Sequence, residues 1–384
     1  MRRKVCVVVT ARPSYSRIET ALRAIDAHPD LELQLVVAAS ALLERYGNTV
    51  RYIEAAGFKI AARVLMVLEG ESLAAMAKTT GLGLMELTTV FENLKPDVVV
   101  TIADRYETLA TSVAAAYLNI PLMHIQGGEV TGSIDEKVRH AITKLADIHC
   151  VATDSAVTRV LRMGEHPETV FKTGCPSIDL AAALLPDPSL NFDPFEKYGG
   201  VGPALDLSDG YLVVMQHPVT TEHEQARDHV AETLNAVCEM GMPTLWFWPN
   251  VDAGSDGTSK GIRTFRERYH PDNIHFFKNM ESTDFLRLIY SSRSLVGNSS
   301  VGIRECSFLG IPVVNIGSRQ CRRDRGGNVI DASYNRASIT HALDHHLSNG
   351  RYPQSSLYGD GHAGERIAGV LGTSPLRFEK QLAY

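Results

Sequence analysis

Short apolar runs alternate with longer stretches of helical period along nearly the whole chain. Val5 to Val9 is the first apolar run, followed by the turn ARPSYS and a helical pattern from Arg17 to Ala27. Glu32 to Ala39 predicts a second strand, helical segments continue through Gly57, and a short strand lies near Val64. A long helix is predicted from Ser72 to Leu94, broken or bent near Gly81-Leu82-Gly83. Asp97 to Ile102, a helix from Tyr106 to Leu118 and the apolar run Pro121 to Ile125 come next. An amphipathic helix then opens on Ser133 and Glu136, spaced as a capping box. Ile148 to Ala152, a helix from Ser155 to Met163 and Val170 to Lys172 complete the first half. Strand, helix, strand in this repetition predicts a parallel sheet with helices on both faces.

Between Pro186 and Asp209 the pattern lapses into a Pro-, Gly-, Asp- and Ser-rich stretch without helical period, the signature of an inter-domain loop. The alternation then restarts: Tyr211 to Gln216, a helix from Glu222 to Met240, Pro243 to Trp248, Ile274 to Phe277, a helix near Thr283 to Ser291, Ser294 to Val296, a helix near Gly302 to Leu309, and Pro312 to Asn315. The predicted division is a first domain at 1–185, a linker at 186–204 and a second domain at 205–363. A closing segment, 364–384, carries a helix from about Gly364 to Leu371 that packs back on the first domain. At 384 residues the chain is long enough for two such cores. Two doubly wound halves joined by one loop predict a cleft between them, a favoured place for a ligand.

Composition narrows the partners. Apolar residues make up 44% and charged residues 21%, ordinary for a soluble protein, and the net charge of −6 gives no general attraction to nucleic acid or anionic lipid. No apolar run approaches the roughly 18 residues of a membrane span, and the five-residue run after Lys4 is too short for a signal-peptide core. The six cysteines have no C-x-x-C spacing, so they are expected to be reduced thiols rather than a disulfide framework or zinc site. A cytoplasmic protein without metal or cofactor is the expectation.

Chemistry concentrates at strand ends. Around Pro121 to Lys144 the chain gathers His124, Gln126, Glu129, Asp135 and Glu136 at a strand-to-helix turn, and just upstream Asp97 to Ile102 ends in Ala103-Asp104-Arg105. Open parallel sheets place their chemistry at such carboxyl ends. Any one of these residues alone is more often a cap or a solvated turn; two adjacent turns with this many acids weaken that explanation. After the first strand, Thr10-Ala11-Arg12-Pro13-Ser14 lacks the G-x-G-x-x-G of a dinucleotide site, but Arg12 offers a cationic fork suited to a phosphate. In the second half, His217 follows a strand and could bind a pyrophosphate or donate a proton to a leaving phosphate. Asn250, in Trp248-Pro249-Asn250-Val251-Asp252, could hold a base, ribose or phosphate. Gly297-Asn298-Ser299-Ser300-Val301-Gly302-Ile303-Arg304-Glu305 puts two serines at a helix start, where free N–H groups suit a diphosphate, with Glu305 placed for a ribose diol. Serine there is commonly only a cap. Arg319, Arg322, Arg323 and Arg325 form a basic loop that could close over phosphates.

The motifs D-R-x-E-T-L-A-T (Asp104 to Thr111), H-I-x-G-G-E-x-T-G-x-I-D-E (His124 to Glu136), R-H-A-I-T-K-L-A (Arg139 to Ala146), G-C-P-S-I-D (Gly174 to Asp179), Q-H-P, G-N-S-S-x-G-I-R-E and R-Q-x-x-R-x-x-G-x-N-V (Arg319 to Val329) resemble the UDP-N-acetylglucosamine 2-epimerases over nearly the whole chain. The resemblance is closest to the hydrolysing branch that feeds sialic-acid-type sugars. It implies a GT-B-like α/β fold, two facing Rossmann-type domains with the active site in the cleft. It implies removal of the C2 proton with expulsion of UDP to a 2-acetamidoglucal, then hydration with inversion at C2 to release N-acetylmannosamine and UDP. By that resemblance Asp104, Glu129, Asp135, His217 and Gln126 form the catalytic set. Arg12, Arg105, His124, Asn250, Ser299, Ser300, Glu305 and Arg319 bind the nucleotide sugar. A homodimer or homotetramer is the expected assembly.

Two positions depart from the resemblance. Gln126 stands where many members carry a glutamate, and Ser14 where hydrolysing members often have an aspartate. A glutamine cannot serve as a carboxylate base, so either neighbouring acids take over the proton transfers or the substrate or chemistry differs. The competing classes are a GT-B glycosyltransferase, which needs an acceptor, a non-hydrolysing 2-epimerase, which leaves the sugar on UDP, and a sensor that binds without turnover.

Overall fold

The apolar runs pair into two separate parallel sheets. The computed structural model describes residues 2–68, 72–131, 134–249 and 254–384. The chain divides into two units, one of residues 1–130, 134–180 and 358–384, the other of residues 131–133 and 181–357.

In the first unit the strands are β1 (Arg3–Val9), β2 (Leu31–Ala38), β3 (Ile60–Val64), β4 (Val98–Ile102), β5 (Leu122–Ile125), β6 (Ile148–Val151) and β7 (Val170–Lys172). They lie in the order β3-β2-β1-β4-β5-β6-β7. β1 pairs with β2 from Arg3 opposite Leu31 to Val9 opposite Val37, and on its other side with β4, Val5 opposite Val98. Chain order reverses between β1 and β4, the kind of switch point at which the loops after two strands part and leave a crevice. Both faces of the central strands are covered, which is why they read as unbroken apolar runs. Val5, Val7 and Val9 pack with Ile18, Leu22 and Ile25 on one face, while Cys6 and Val8 pack with Leu87, Phe91 and Ala114 on the other.

The helix Ala363–Thr373 joins the first of these cores through Ile367 and Leu371. Its start is fixed by Asp179, whose carboxylate accepts from Ala363 N (2.9 Å), Gly364 N (2.7 Å) and the Thr20 hydroxyl (2.9 Å). A Cβ at Gly364 would lie 2.7 Å from the Thr20 carbonyl carbon, so only glycine allows this approach. The helix Leu73–Leu94 runs unbroken through Gly81 and Gly83, unlike the predicted bend. Gly83 serves packing instead: a Cβ there would meet Met66 Cε at 2.1 Å. The capping serine predicted for the helix Ile134–Leu145, Ser133, lies outside the described residues.

The second unit holds β8 (Leu212–Met215), β9 (Thr244–Phe247), β10 (Ile274–Phe277), β11 (Ser294–Gly297), β12 (Val313–Ile316) and β13 (Val329–Ala332), in the order β10-β9-β8-β11-β12-β13. Its core gathers Leu212, Val214, Trp246, Ile274, Val296 and Val314 with Val230, Leu234 and Leu343 from covering helices. Elements beyond the sequence prediction include β13 and the helices Ser255–Tyr269 and Arg336–Asn349. The stretch expected as a linker is built into this unit. Asp193 caps a short helix, Pro194–Tyr198, and Val201 pairs antiparallel with Phe276 at the edge of β10. Among the described residues no helix is long and apolar enough to cross a membrane. The six cysteines are unbridged, with Cys321 exposed and Cys238 partly so.

Candidate active site

Within the first unit, sheet order sets the turns after β1, β4 and β5 side by side. Two of these turns carry non-glycine residues in the left-handed region: Ala103 (φ 66°) after β4 and Gln126 (φ 68°) after β5. Each such residue costs roughly 1–2 kcal/mol, so the surrounding structure must hold it. His124, on β5, does so for Ala103. Its Nε2 is 2.9 Å from the Ala103 carbonyl and its Nδ1 3.2 Å from the Thr143 hydroxyl. A carbonyl only accepts, so Nε2 carries the proton. Burial pushes the imidazole pKa down to about 3, so the ring is neutral and Nδ1 accepts from Thr143. His124 is fully buried with both nitrogens engaged, and it holds the turn that carries Asp104.

Arg139 joins the two turns. It projects from the helix Ile134–Leu145, is 1% exposed, pairs through Nη2 with the Asp104 carboxylate, and donates from Nη1 to the Glu129 carbonyl at 2.8 Å. In the sequence Arg139 stands within the motif R-H-A-I-T-K-L-A, which by itself assigns it no role. Its signal was positional: it shares the buried face of an amphipathic helix with Val138 and Ile142, where a lone cation needs a buried partner. Gly127 and Gly128 let the chain pass between these elements. Gly128 has φ 73°, and a Cβ there would come within 2.5 Å of the Ala156 carbonyl.

The remaining candidate acids and cations of the first unit stand on the turns after β1, β4 and β5 and on the helix that carries Arg139. Glu129 is buried, and Asp135 is partly exposed in the first turn of the Arg139 helix. Arg105 leans on the buried Glu107 carboxylate, Nε to Oε2 at 3.2 Å. Gln126 is 1% exposed and donates from Nε2 to Cys175 Sγ at 2.9 Å. Arg12 opens the short helix Arg12–Ser16 after β1; desolvation lowers its pKa to about 10, which leaves it cationic at neutral pH. Ser14 is buried in the same helix.

The second unit has its own cluster, organised by Asn298 at the end of β11. The Asn298 side chain accepts from His217 N (2.7 Å) and donates to the His217 carbonyl (2.8 Å), locking the turn after β8 to the turn after β11. Its main-chain carbonyl takes Arg319 Nη1 at 3.1 Å and Gln320 Nε2 at 2.9 Å. Gly297 precedes it with φ 133°, and a Cβ there would lie 2.1 Å from the Met215 carbonyl oxygen, so this strand end admits only glycine. Asn298 therefore ties the turn of His217 and the side chain of Arg319 to the strand end that leads into Ser299 and Ser300, a link the sequence does not display. Ser299 acts as N-cap, accepting from Val301 N at 3.4 Å. The predicted single helix is two short ones, Ser300–Ile303 and Glu305–Leu309, parted at Arg304, so the dipole offered to an anion is smaller than expected. Glu305 is buried at the second start. In the basic loop, Arg325 pairs with Asp331 and donates to the Gln320 carbonyl, and Arg323 donates to the Gln320 side chain. Asn250 lies outside the described residues.

Two α/β units, each with one parallel sheet and with polar clusters at the carboxyl ends of its strands, define a GT-B-like protein. The chain belongs to the UDP-N-acetylglucosamine 2-epimerase family, whose model matches residues 23–372. It is 34% identical over 98% of its length to "UDP-N,N'-diacetylbacillosamine 2-epimerase (hydrolyzing)" of Legionella pneumophila, covering 97% of that protein. It is 30% identical over 87% of its length to "GDP/UDP-N,N'-diacetylbacillosamine 2-epimerase (hydrolyzing)" of Campylobacter jejuni, covering 85% of that protein. In fold it is similar to the crystal structure of UDP-GlcNAc 2-epimerase from Neisseria meningitidis, with a TM-score of 0.78 at 19% identity, covering 96% of this chain and 99% of that one.

Proposed function

We propose that this protein is a hydrolysing UDP-sugar 2-epimerase acting on a UDP-linked 2-acetamido sugar, either UDP-N-acetylglucosamine or a 2,4-diacetamido relative. The observation that carries this reading is the pair of acid-bearing turns after β4 and β5, held together by Arg139. The reaction needs a base for a weakly acidic C2–H and, later, an acid at the same carbon. Asp104, Glu129 and Asp135 supply these. In the first step the C2 proton goes to a carboxylate, the C1–O bond to UDP breaks, its electron pair leaves on the phosphate, and a 2-acetamidoglucal forms. In the second, water adds to C1 and a proton returns to the opposite face of C2. Arg12, Arg105, Ser299, Ser300 and Arg319 hold the diphosphate, His217 protonates or binds the leaving phosphate, and Asn250 and Glu305 contact the nucleoside.

The relatives named as hydrolysing enzymes support this reading, and the diacetylated substrates in their names supply the second sugar class. The buried, uncharged Gln126 is compatible with either substrate because the proton transfers fall to the neighbouring acids. The enzyme acts in the cytoplasm as a homodimer or homotetramer, and the free amino sugar it releases suits the biosynthesis of sialic-acid-type sugars. A single-subunit mass in solution would refute the assembly. The test of function is an NMR time course with each UDP-sugar and no acceptor. Free sugar with UDP supports hydrolysis; a new UDP-sugar means plain epimerisation; turnover only after an acceptor is added means a glycosyltransferase; binding with no change means a sensor.

A further inference from the structure

The first unit holds a second charged cluster that the reaction does not use. Glu165 is buried and accepts from three side chains: Lys144 Nζ on Oε1 (2.6 Å), His149 Nε2 on Oε2 (2.9 Å) and Lys380 Nζ on Oε2 (2.6 Å). The segment that delivers Lys380 is pinned nearby by Arg377 to Glu168 (3.3 Å) and by Ala383 N to the Gly164 carbonyl (3.0 Å). Lys380 also donates to the carbonyls of Thr143 (3.2 Å) and Ala146. Those carbonyls end the helix Ile134–Leu145, where the backbone lacks intrahelical donors and the dipole favours a cation. Lys144 ties the same end to the Met163 carbonyl at 3.0 Å. Two turns toward its start, this helix carries Arg139, and one turn from Arg139 it carries Thr143, the partner of His124.

We propose that Lys380 is a positioning residue for the proton chemistry of the first unit: it fixes the carboxyl end of the helix Ile134–Leu145, and through that helix the Arg139 guanidinium and the Asp104 carboxylate. The inference rests on the function proposed above. A helix anchored at both ends of its last turn cannot slide or fray, so Arg139 and Thr143 meet the turns after β4 and β5 in one arrangement. Released, the last turn gains freedom, and displacement of a catalytic group by about 1 Å can cost up to roughly 100-fold in rate. UDP contacts in the second unit stay as they are.

The test compares Lys380→Met and Lys380→Arg in the full chain, at a temperature where circular dichroism shows both folded. Lys380→Met is expected to lower kcat by roughly tenfold or more while KM and calorimetric UDP affinity stay within about twofold. Lys380→Arg, which keeps a cation at the helix end, recovers most of kcat. Amide hydrogen exchange at Arg139–Ala146 is expected to quicken in Lys380→Met alone. Unchanged exchange in that segment overturns the inference whether or not the enzyme turns over. Equal losses in both variants, or a parallel loss of UDP affinity, also overturn it, since a general loss of fold would then explain the effect. Absence of turnover in the unaltered protein sinks the functional reading instead, and exchange then decides whether Lys380 holds the helix.

Discussion

At the scale of single residues, His124 and Arg139 do work that their chemistry alone would not suggest. Histidine near an active site invites a role as proton carrier or ligand, yet burial keeps His124 neutral and both ring nitrogens hold backbone or its supports. This has a pH consequence whose sign follows from linkage. The folded pKa of about 3 lies below the unfolded value near 6.5, so between them the unfolded chain binds the proton and the folded one does not. Stability is full above pH 6.5 and falls as pH drops toward 3, with a loss from this residue of about 2 kcal/mol by pH 5. Thermal melts at pH 8 and pH 5 should show that loss, and His124→Asn should flatten the slope while melting lower at pH 8. An unchanged slope would mean that other groups set the acid sensitivity. Arg139 sets a second expectation. Removing it leaves the Asp104 carboxylate without its buried partner, and breaking such a pair costs about 3–5 kcal/mol. Arg139→Met should therefore destabilise strongly in urea, and adding Asp104→Asn should recover part of the loss. A double variant as unstable as the sum of both single changes would show that the pair is not coupled.

Among the elements, the strand ends are where sequence and structure agree most closely and then part. The parallel strands were legible because both faces are covered, so β1, β4 and β8 appear as plain apolar runs. The helix Ser255–Tyr269 was not, since it opens Ser-Asp-Gly-Thr-Ser-Lys-Gly, and of its glycines Gly261 serves packing: a Cβ there would meet Val230 Cγ1 at 2.6 Å. The four residues of β13 include an exposed acid, Asp331, and carry too little period to separate from a loop. The acids Asp104 and Glu129 were legible from their place after strands, whereas Asn298 was not legible as a hub because its partners are main-chain groups 81 residues away. That hub makes its own prediction. Asn298→Ala leaves the buried His217 N–H and carbonyl without these partners, at about 1–3 kcal/mol for each unsatisfied group. Calorimetry should show weaker UDP binding together with a lower melting temperature, whereas Ser299→Ala with Ser300→Ala should weaken UDP binding with a smaller loss of stability, because the hub survives. Equal effects from the two changes would remove Asn298 from its place as organiser.

For the molecule as a whole, the proposed function divides its labour between the two sheets. The acids gather in the first unit, at the turns tied by Arg139, and the groups offered to a diphosphate gather chiefly in the second, around Asn298. Each cluster is held by contacts within its own unit, so substitutions in one should spare the function of the other, as sites that share no partners usually behave. Asp104→Asn, Glu129→Gln and Asp135→Asn should keep UDP affinity within a few fold, yet at least Asp104→Asn and one of the other two should lose C2 proton chemistry. General acid–base groups typically contribute 100- to 10,000-fold, so those losses should reach at least about 100-fold in kcat. The sharpest measurement runs the reaction in deuterated water and follows deuterium at C2 of the released sugar. In the unaltered enzyme every product molecule should carry it, because the proton that returns comes from a group in exchange with solvent. A variant that still eliminates UDP but cannot hydrate should release UDP and accumulate the unsaturated sugar, which assigns the missing group to the second step; a variant silent in both identifies the first base. Near wild-type turnover and labelling in all three variants would make these carboxylates structural and leave His217 as the next group to test.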